Sequence, residues 1–189
     1  MRHLILVVHI SLDGFVAGPK GELDGFPAGD ENLAFVNNLT QNSDAALFGR
    51  TSYELLNSFW PTAGSRPGAT KAEIAYSDWY NNVQKIVISK RMPNVSVNNT
   101  IVVREKIANE ISYIKKQPGK NILIFGSPST SYELMQHDLI DSYWMFVNPI
   151  IFGEGIPLFT RLAKKTRLQL LSTRQFSNGE IALNYVADK

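Results

Sequence analysis

The chain has 189 residues, 44% of them hydrophobic, and a net charge of +2, which suits one domain over residues 1–189 with a sizeable core. It has no cysteine and only three dispersed histidines (His3, His9, His137), which excludes disulfides, thiolate chemistry and cysteine-held zinc, and argues against any metal site. The scattered charges offer no basic field for nucleic acid, no run reaches the ~20 apolar residues of a membrane span, and a cysteine-free composition suits the cytoplasm.

The run LILVVHI, residues 4–10, is almost continuously apolar and reads as a strand buried on both faces rather than a short secretory segment. A Gly- and Pro-rich loop follows, of a length often tied to function, with Asp13-Gly14 as turn chemistry and Asp13 as its organiser. Asp30 reads as the N-cap of a helix carrying Leu33, Phe35, Val36 and Leu39. AALFG, residues 45–49, is a short strand that runs into a helix opened by Arg50 and Thr51. Residues 60–78, rich in Pro, Gly and Ala, carry no clear element.

Strands follow at residues 85–90 and 100–104. Ile107, Ile111 and Ile114 recur at helical spacing until Pro118-Gly119 stops the helix. NILIFG is a buried strand ending at Gly126, and a helix with a Ser/Thr-rich start succeeds it. Residues 141–153 read as one long strand. Residues 167–176 and 180–186 form a hairpin about Asn178-Gly179. The class is therefore α/β: a mostly parallel central sheet flanked by helices, with an antiparallel C-terminal hairpin.

In such sheets, ligands sit beyond the carboxyl ends of the strands. Three ends here are polar: Gly49-Arg50-Thr51, Ser89-Lys90-Arg91, and Gly126-Ser127-Pro128-Ser129-Thr130. Each alone has a plainer explanation, in which Thr51 caps a helix, residues 89–91 form a solvated loop and the last stretch caps a helix. Together they offer helix N-termini for a pyrophosphate and an arginine fork and hydroxyls for further phosphate oxygens. No G-x-G-x-x-G follows the first strand, which disfavours a Rossmann dehydrogenase.

The segments HISLDGFVAG, ALFGRTSYE, KIVISK, NILIFGS and LIDSYWMFVNPIIFGEGIPLF, in this order, resemble the dihydrofolate-reductase-like superfamily. The branch most resembled is the riboflavin-biosynthesis reductase, the C-terminal domain of bifunctional deaminase–reductases. The resemblance implies that fold, NADPH as cofactor, and reduction of a small heterocyclic or carbonyl substrate akin to a 5-amino-6-ribosylaminouracil phosphate. It implies that Gly49, Arg50 and Thr51 meet cofactor phosphates and that Ser89, Lys90 and Arg91 surround the 2′-phosphate. Gly126, Ser127, Pro128, Ser129 and Thr130 would lie along the pyrophosphate, and Val16, Ala17 and Gly18 beside the nicotinamide. The family usually has a glycine run where Ser127 and Pro128 stand; Ser127 retains a donor, whereas Pro128 has no N–H. Deaminase activity needs cysteine ligands and is excluded.

For proton delivery the resemblance points to the acidic start of the first helix, and so to Asp30, with Glu31 beside it; a capping role for Asp30 is the alternative. His9 is either a core residue or a cleft-lining one. Trp60 and Phe152 are candidate walls of an aromatic substrate slot, and Gly153 belongs to a loop at its mouth. A substrate phosphate would call on Arg66, Arg104 or Arg161. The resemblance also implies a homodimer. Two other readings stand beside the reductase: folate reduction, and nucleotide binding without catalysis.

Overall fold

Hydrophobic runs of four to six residues become the inner strands of an α/β architecture in the computed structural model, which describes residues 1–26, 29–93, 99–160 and 165–188. Its contacts divide into two units: residues 1–2 with 29–123, and residues 3–28 with 124–189.

The first unit contains α1 (Asp30–Gln41), β3 (Ser43–Gly49), α2 (Arg50–Ala63), α3 (Lys71–Asn82), β4 (Gln84–Ile88), β5 (Thr100–Val103) and α4 (Ile107–Lys116). Its strands run in the order β5-β4-β3. They are parallel, with Leu47 opposite Ile86 and Val87 opposite Val102. Ala45, Ala46, Leu47 and Phe48 are fully buried, as expected of a strand covered on both faces. The Phe48 ring lies 6.2 Å from the rings of both Tyr53 and Tyr80.

Residues 60–78, unassigned from sequence, are largely helical. Pro61 lies inside the last turn of α2, where it removes only one hydrogen bond near the helix end. Thr70 and Glu73 form a reciprocal capping box at the start of α3. The N-cap of α1 is Gly29, not Asp30; Asp30 is the first helical residue, with its charge at the favourable end of the dipole. The inward positions of α1 are Asn32, Val36 and Thr40, so the buried stripe is partly polar and the apolar pattern located it only at Val36. Arg2 pairs with Asp44, and Asp44 also accepts the Lys120 N–H at 2.9 Å.

The second unit contains β1 (Leu4–Ser11), β2 (Phe15–Ala17), α5 (Pro128–Gln136), β7 (Ser142–Asn148), β8 (Ile156–Pro157), β9 (Leu168–Gln175) and β10 (Ile181–Ala187). The remaining strand, β6 (Asn121–Phe125), is divided between the units after Leu123. β1 runs parallel to β7, with His9 opposite Phe146. β10 is antiparallel to both β7 and β9, which is the expected hairpin. The long strand expected over residues 141–153 ends at Asn148, because Pro149 has no N–H to continue a ladder. β2 and β8 form a small antiparallel pair, β2 inside the segment read as a loop and β8 in a stretch beyond residue 153 to which the sequence assigns no element. Each is only two or three residues long, too short for a period-2 pattern to register.

Candidate functional site

In the first unit, Gly49 sits opposite Ile88. The segments that leave β3 and β4, Arg50-Thr51 and Ser89-Lys90-Arg91, therefore start from adjacent strand ends. Arg50 is the first residue of α2, whose N-cap is Gly49 with no side-chain cap. Thr51 is thus not the cap, and it lies exposed. Arg50 contacts Glu54 at 3.3 Å, with both side chains about half exposed. Such a surface pair is weak and exchanges readily for a phosphate. Ser89 Oγ accepts the N–H of Arg91 at 3.3 Å and of Met92 at 3.1 Å. This turn leaves Lys90 and Arg91 exposed. A fourteen-residue helix start, an exposed guanidinium and a neighbouring Lys-Arg pair form a donor set that fits anionic oxygens.

The other candidates in this unit are engaged differently. Trp60 packs on Tyr76, with centroids 4.3 Å apart, and edge-on to Phe59 at 5.0 Å. Its carbonyl accepts the Ser77 hydroxyl at 2.7 Å, so the ring serves the packing of α2 on α3. Asp30 and Glu31 are exposed. The Arg66 guanidinium lies 4.3 Å from the Phe59 ring centre. Arg104 donates to the Met92 carbonyl. Arg161 lies outside the described residues.

In the second unit, Gly126 and Ser127 have successive left-handed φ values of 56° and 54°. Nothing lies within 4 Å of where a Gly126 Cβ would be, so the backbone there can be approached closely. Pro128 begins α5, where its missing N–H costs nothing. Ser127 is buried, and its hydroxyl donates to the Phe125 carbonyl at 3.1 Å. Thr130 is buried too, and Ser129 is the exposed hydroxyl.

The loop after β1 is tied to the chain after β7 by Asp13. Its carboxylate accepts the Gly153 N–H at 2.8 Å, the Phe152 N–H at 3.1 Å and the Ser11 hydroxyl at 2.6 Å. The Ser11 hydroxyl holds the carboxyl below the usual carboxylate range; desolvation opposes it, and the amides of Gly153, Phe152 and Asp13 itself add to the lowering. Gly153 has φ +76°, a conformation that favours glycine. Val16 and Ala17 are buried, Gly18 is half-buried, and Ala17 pairs with Ile156. A Cβ on Gly155 would lie 2.3 Å from the Ala17 carbonyl oxygen, so this close approach requires glycine.

His9 stacks on Phe146 at 4.7 Å and lies 6.3 Å from Phe26, which in turn lies 5.2 Å from Phe152. His9 Nδ1 is 2.7 Å from Oε1 of the fully buried Glu180. Glu180, Phe26 and Ser11 were missed from sequence. A lone glutamate opening an apolar strand was the one signal available, and spacing alone gave it no partner. Among the described residues no cluster has metal-ligand character, and no helix is long and apolar enough to cross a membrane.

The profile of the RibD C-terminal domain matches residues 2–182. The chain belongs to that family. It is 30% identical to the uncharacterized protein YyaP of Bacillus subtilis over 97% of this chain and 94% of that one. A crystal structure from Shewanella sp. PV-4, provisionally described as a riboflavin biosynthesis protein, superposes with a TM-score of 0.76 at 22% identity, covering 100% of both chains. A dihydrofolate reductase from Enterococcus faecalis complexed with NADP(H) superposes with a TM-score of 0.62 at 16% identity, covering 99% of this chain and 97% of that one. These likenesses establish the fold as dihydrofolate-reductase-like.

Proposed function

We propose that this protein is an NADPH-dependent reductase of a small heterocyclic or carbonyl substrate, of the riboflavin-biosynthesis type, acting in the cytoplasm as a homodimer. The observation that carries the proposal is the adjacency of the β3 and β4 ends. Gly49 lies opposite Ile88, so Arg50-Thr51 and Ser89-Lys90-Arg91 follow adjacent strand ends, which supports the reading in a chain of the RibD C-terminal domain family. A bound NADPH would supply a hydride, and the protein's task is binding, orientation and proton supply. Arg50 offers a planar fork to phosphate, and Lys90 and Arg91 offer the charge that separates a 2′-phosphate from a hydroxyl.

In the second unit, the open backbone at Gly126 and the α5 amides suit an anion. The Asp13 carboxylate holds the loop that carries Phe152 and Gly153. A second reading, nucleotide binding without turnover, draws on the Ser127 hydroxyl bonded to the Phe125 carbonyl and on Pro128, where a glycine run would otherwise stand.

The deciding experiment is NADPH oxidation in the presence of 5-amino-6-(5-phosphoribosylamino)uracil, with dihydrofolate as the control. Turnover of the pyrimidine and not of dihydrofolate supports the proposal. NADPH binding without turnover of either moves the assignment to the second reading.

A further inference from the structure

Glu180 has no solvent exposure, yet it is a carboxylate. Burying a charge is costly unless a partner compensates it. The local turn does not need this side chain. Its backbone N–H donates to Asn178 Oδ1 at 3.0 Å, and its carbonyl accepts from Phe176 N at 2.9 Å, so any residue could close the hairpin. What the side chain does do is approach His9 Nδ1. The His9 ring is fixed by its near-parallel stack on Phe146, yet its side chain keeps 37% of its exposure. A held ring with one nitrogen against a buried carboxylate has its other nitrogen, Nε2, for exchange with something outside.

We propose that His9 is a catalytic proton donor and that Glu180 is a positioning residue which holds His9 with its proton on Nδ1. The proposal rests on the reductase reading and assigns to His9 the role that the family resemblance gave to Asp30. As the hydride of a reduced nicotinamide adds to the carbon of a substrate C=O or C=N, the π bond breaks and its electron pair moves to the heteroatom. The Nε2–H bond of the imidazolium breaks and a new O–H or N–H bond forms. The imidazole is left neutral with its proton on Nδ1, facing Glu180, and solvent water returns a proton to Nε2. One hydride and one proton are consumed per C=O or C=N reduced.

The test has two arms on the full chain. In the first, nitrogen chemical shifts of the histidine rings are read by NMR at a pH where they are neutral, with the exposed His3 and His137 as references. The proposal expects His9 in the Nδ1–H form and the references in the ordinary Nε2–H form. It expects Glu180→Leu, which removes the acceptor, to return His9 toward the ordinary form, since the hydrogen-bond partner sets the tautomer. An Nε2–H form of His9 in the unmodified protein overturns the proposal, whatever the fate of the variant.

In the second arm, NADPH oxidation with 5-amino-6-(5-phosphoribosylamino)uracil should lose about 10²–10⁴-fold in kcat in His9→Gln. Glu180→Gln should show a smaller kcat loss, with KM and NADPH binding little changed in both. An unchanged kcat in His9→Gln overturns the proposal. Failure of the unmodified protein to bind NADPH would instead overturn the reductase reading, and the tautomer arm would still decide the role of Glu180.

Discussion

The Asp13 carboxylate accepts the backbone N–H of Gly153 across 140 residues of chain, at 2.8 Å. With the Phe152 N–H and the Ser11 hydroxyl, this gives one exposed carboxylate three donors. Its pKa is depressed below the ordinary value of 3.8, so the folded protein favours the ionised form. The resulting stabilisation is present above that value and is lost as the pH falls through the depressed folded one. The amide protection factors at Gly153 and Phe152, observed exchange taken against the intrinsic rate at each pH, should therefore be high at neutral pH and fall in acid. Asp13→Ala should show low protection at both. High protection in Asp13→Ala at neutral pH would show that the strand pair β2–β8 holds the loop without Asp13.

Lys85 is a buried lysine whose ammonium donates to the Tyr80 carbonyl at 2.6 Å and lies 4.6 Å from the Tyr80 ring centre. Burial pushes its pKa down. The carbonyl belongs to the last turn of α3, where a cation also complements the helix dipole. Lys85→Met keeps the stem and removes the charged donor, so it should cost about 1.5–3 kcal/mol in urea unfolding. No loss would mean that desolvation of the ammonium cancels its bond.

Thr70 and Glu73 cap α3 reciprocally, with Glu73 N to Thr70 Oγ1 at 3.2 Å and Thr70 N to Glu73 Oε2 at 2.8 Å. Thr70→Ala should destabilise by about 1 kcal/mol. Because the two side chains act on one helix end, the loss in the Thr70→Ala, Glu73→Ala double variant should differ from the sum of the single losses. Strict additivity in a thermal or urea series would contradict a working box.

Tyr76, Tyr80 and Tyr143 are buried, and burial raises the pKa of each. That of Tyr143, with Asp138 and Asp141 nearby, is pushed up to about 12. A raised folded pKa favours the protonated form, so stability is intact below pH 10 and is lost as the pH rises through about 12. An absorbance titration should show these three of the seven tyrosines ionising only as the protein unfolds. Ionisation of all seven near pH 10 in folded protein would contradict their burial.

The sequence revealed most where one physical cause acts alone. The buried strands at β1, β3 and β6 announce themselves as apolar runs, and the β9–β10 hairpin is marked by Asn178-Gly179. The strand ends at Gly49 and Gly126 were also legible, because glycine followed by hydroxyls marks a turn into a helix. Contacts set by tertiary geometry were not legible. Ser127 reads as a residue that keeps a donor, but the acceptor of its hydroxyl, the Phe125 carbonyl, could not be read from the sequence. Trp60 reads as a pocket wall, but α2 continues through Pro61 and lays the ring on Tyr76. Glu180 meets His9 only because β7 lies between β1 and β10, a juxtaposition that no local pattern encodes.

The most direct test of the account is NADPH binding to cofactor-free protein by thermal shift, with NADH beside it. NADPH at ~100 times its Kd should add about 2.7 kcal/mol of stability. The account predicts a clear preference for NADPH over NADH, lost in Arg50→Ala and weakened in Lys90→Ala. Binding of neither nucleotide, or equal binding of both that is unchanged in Arg50→Ala, would contradict it.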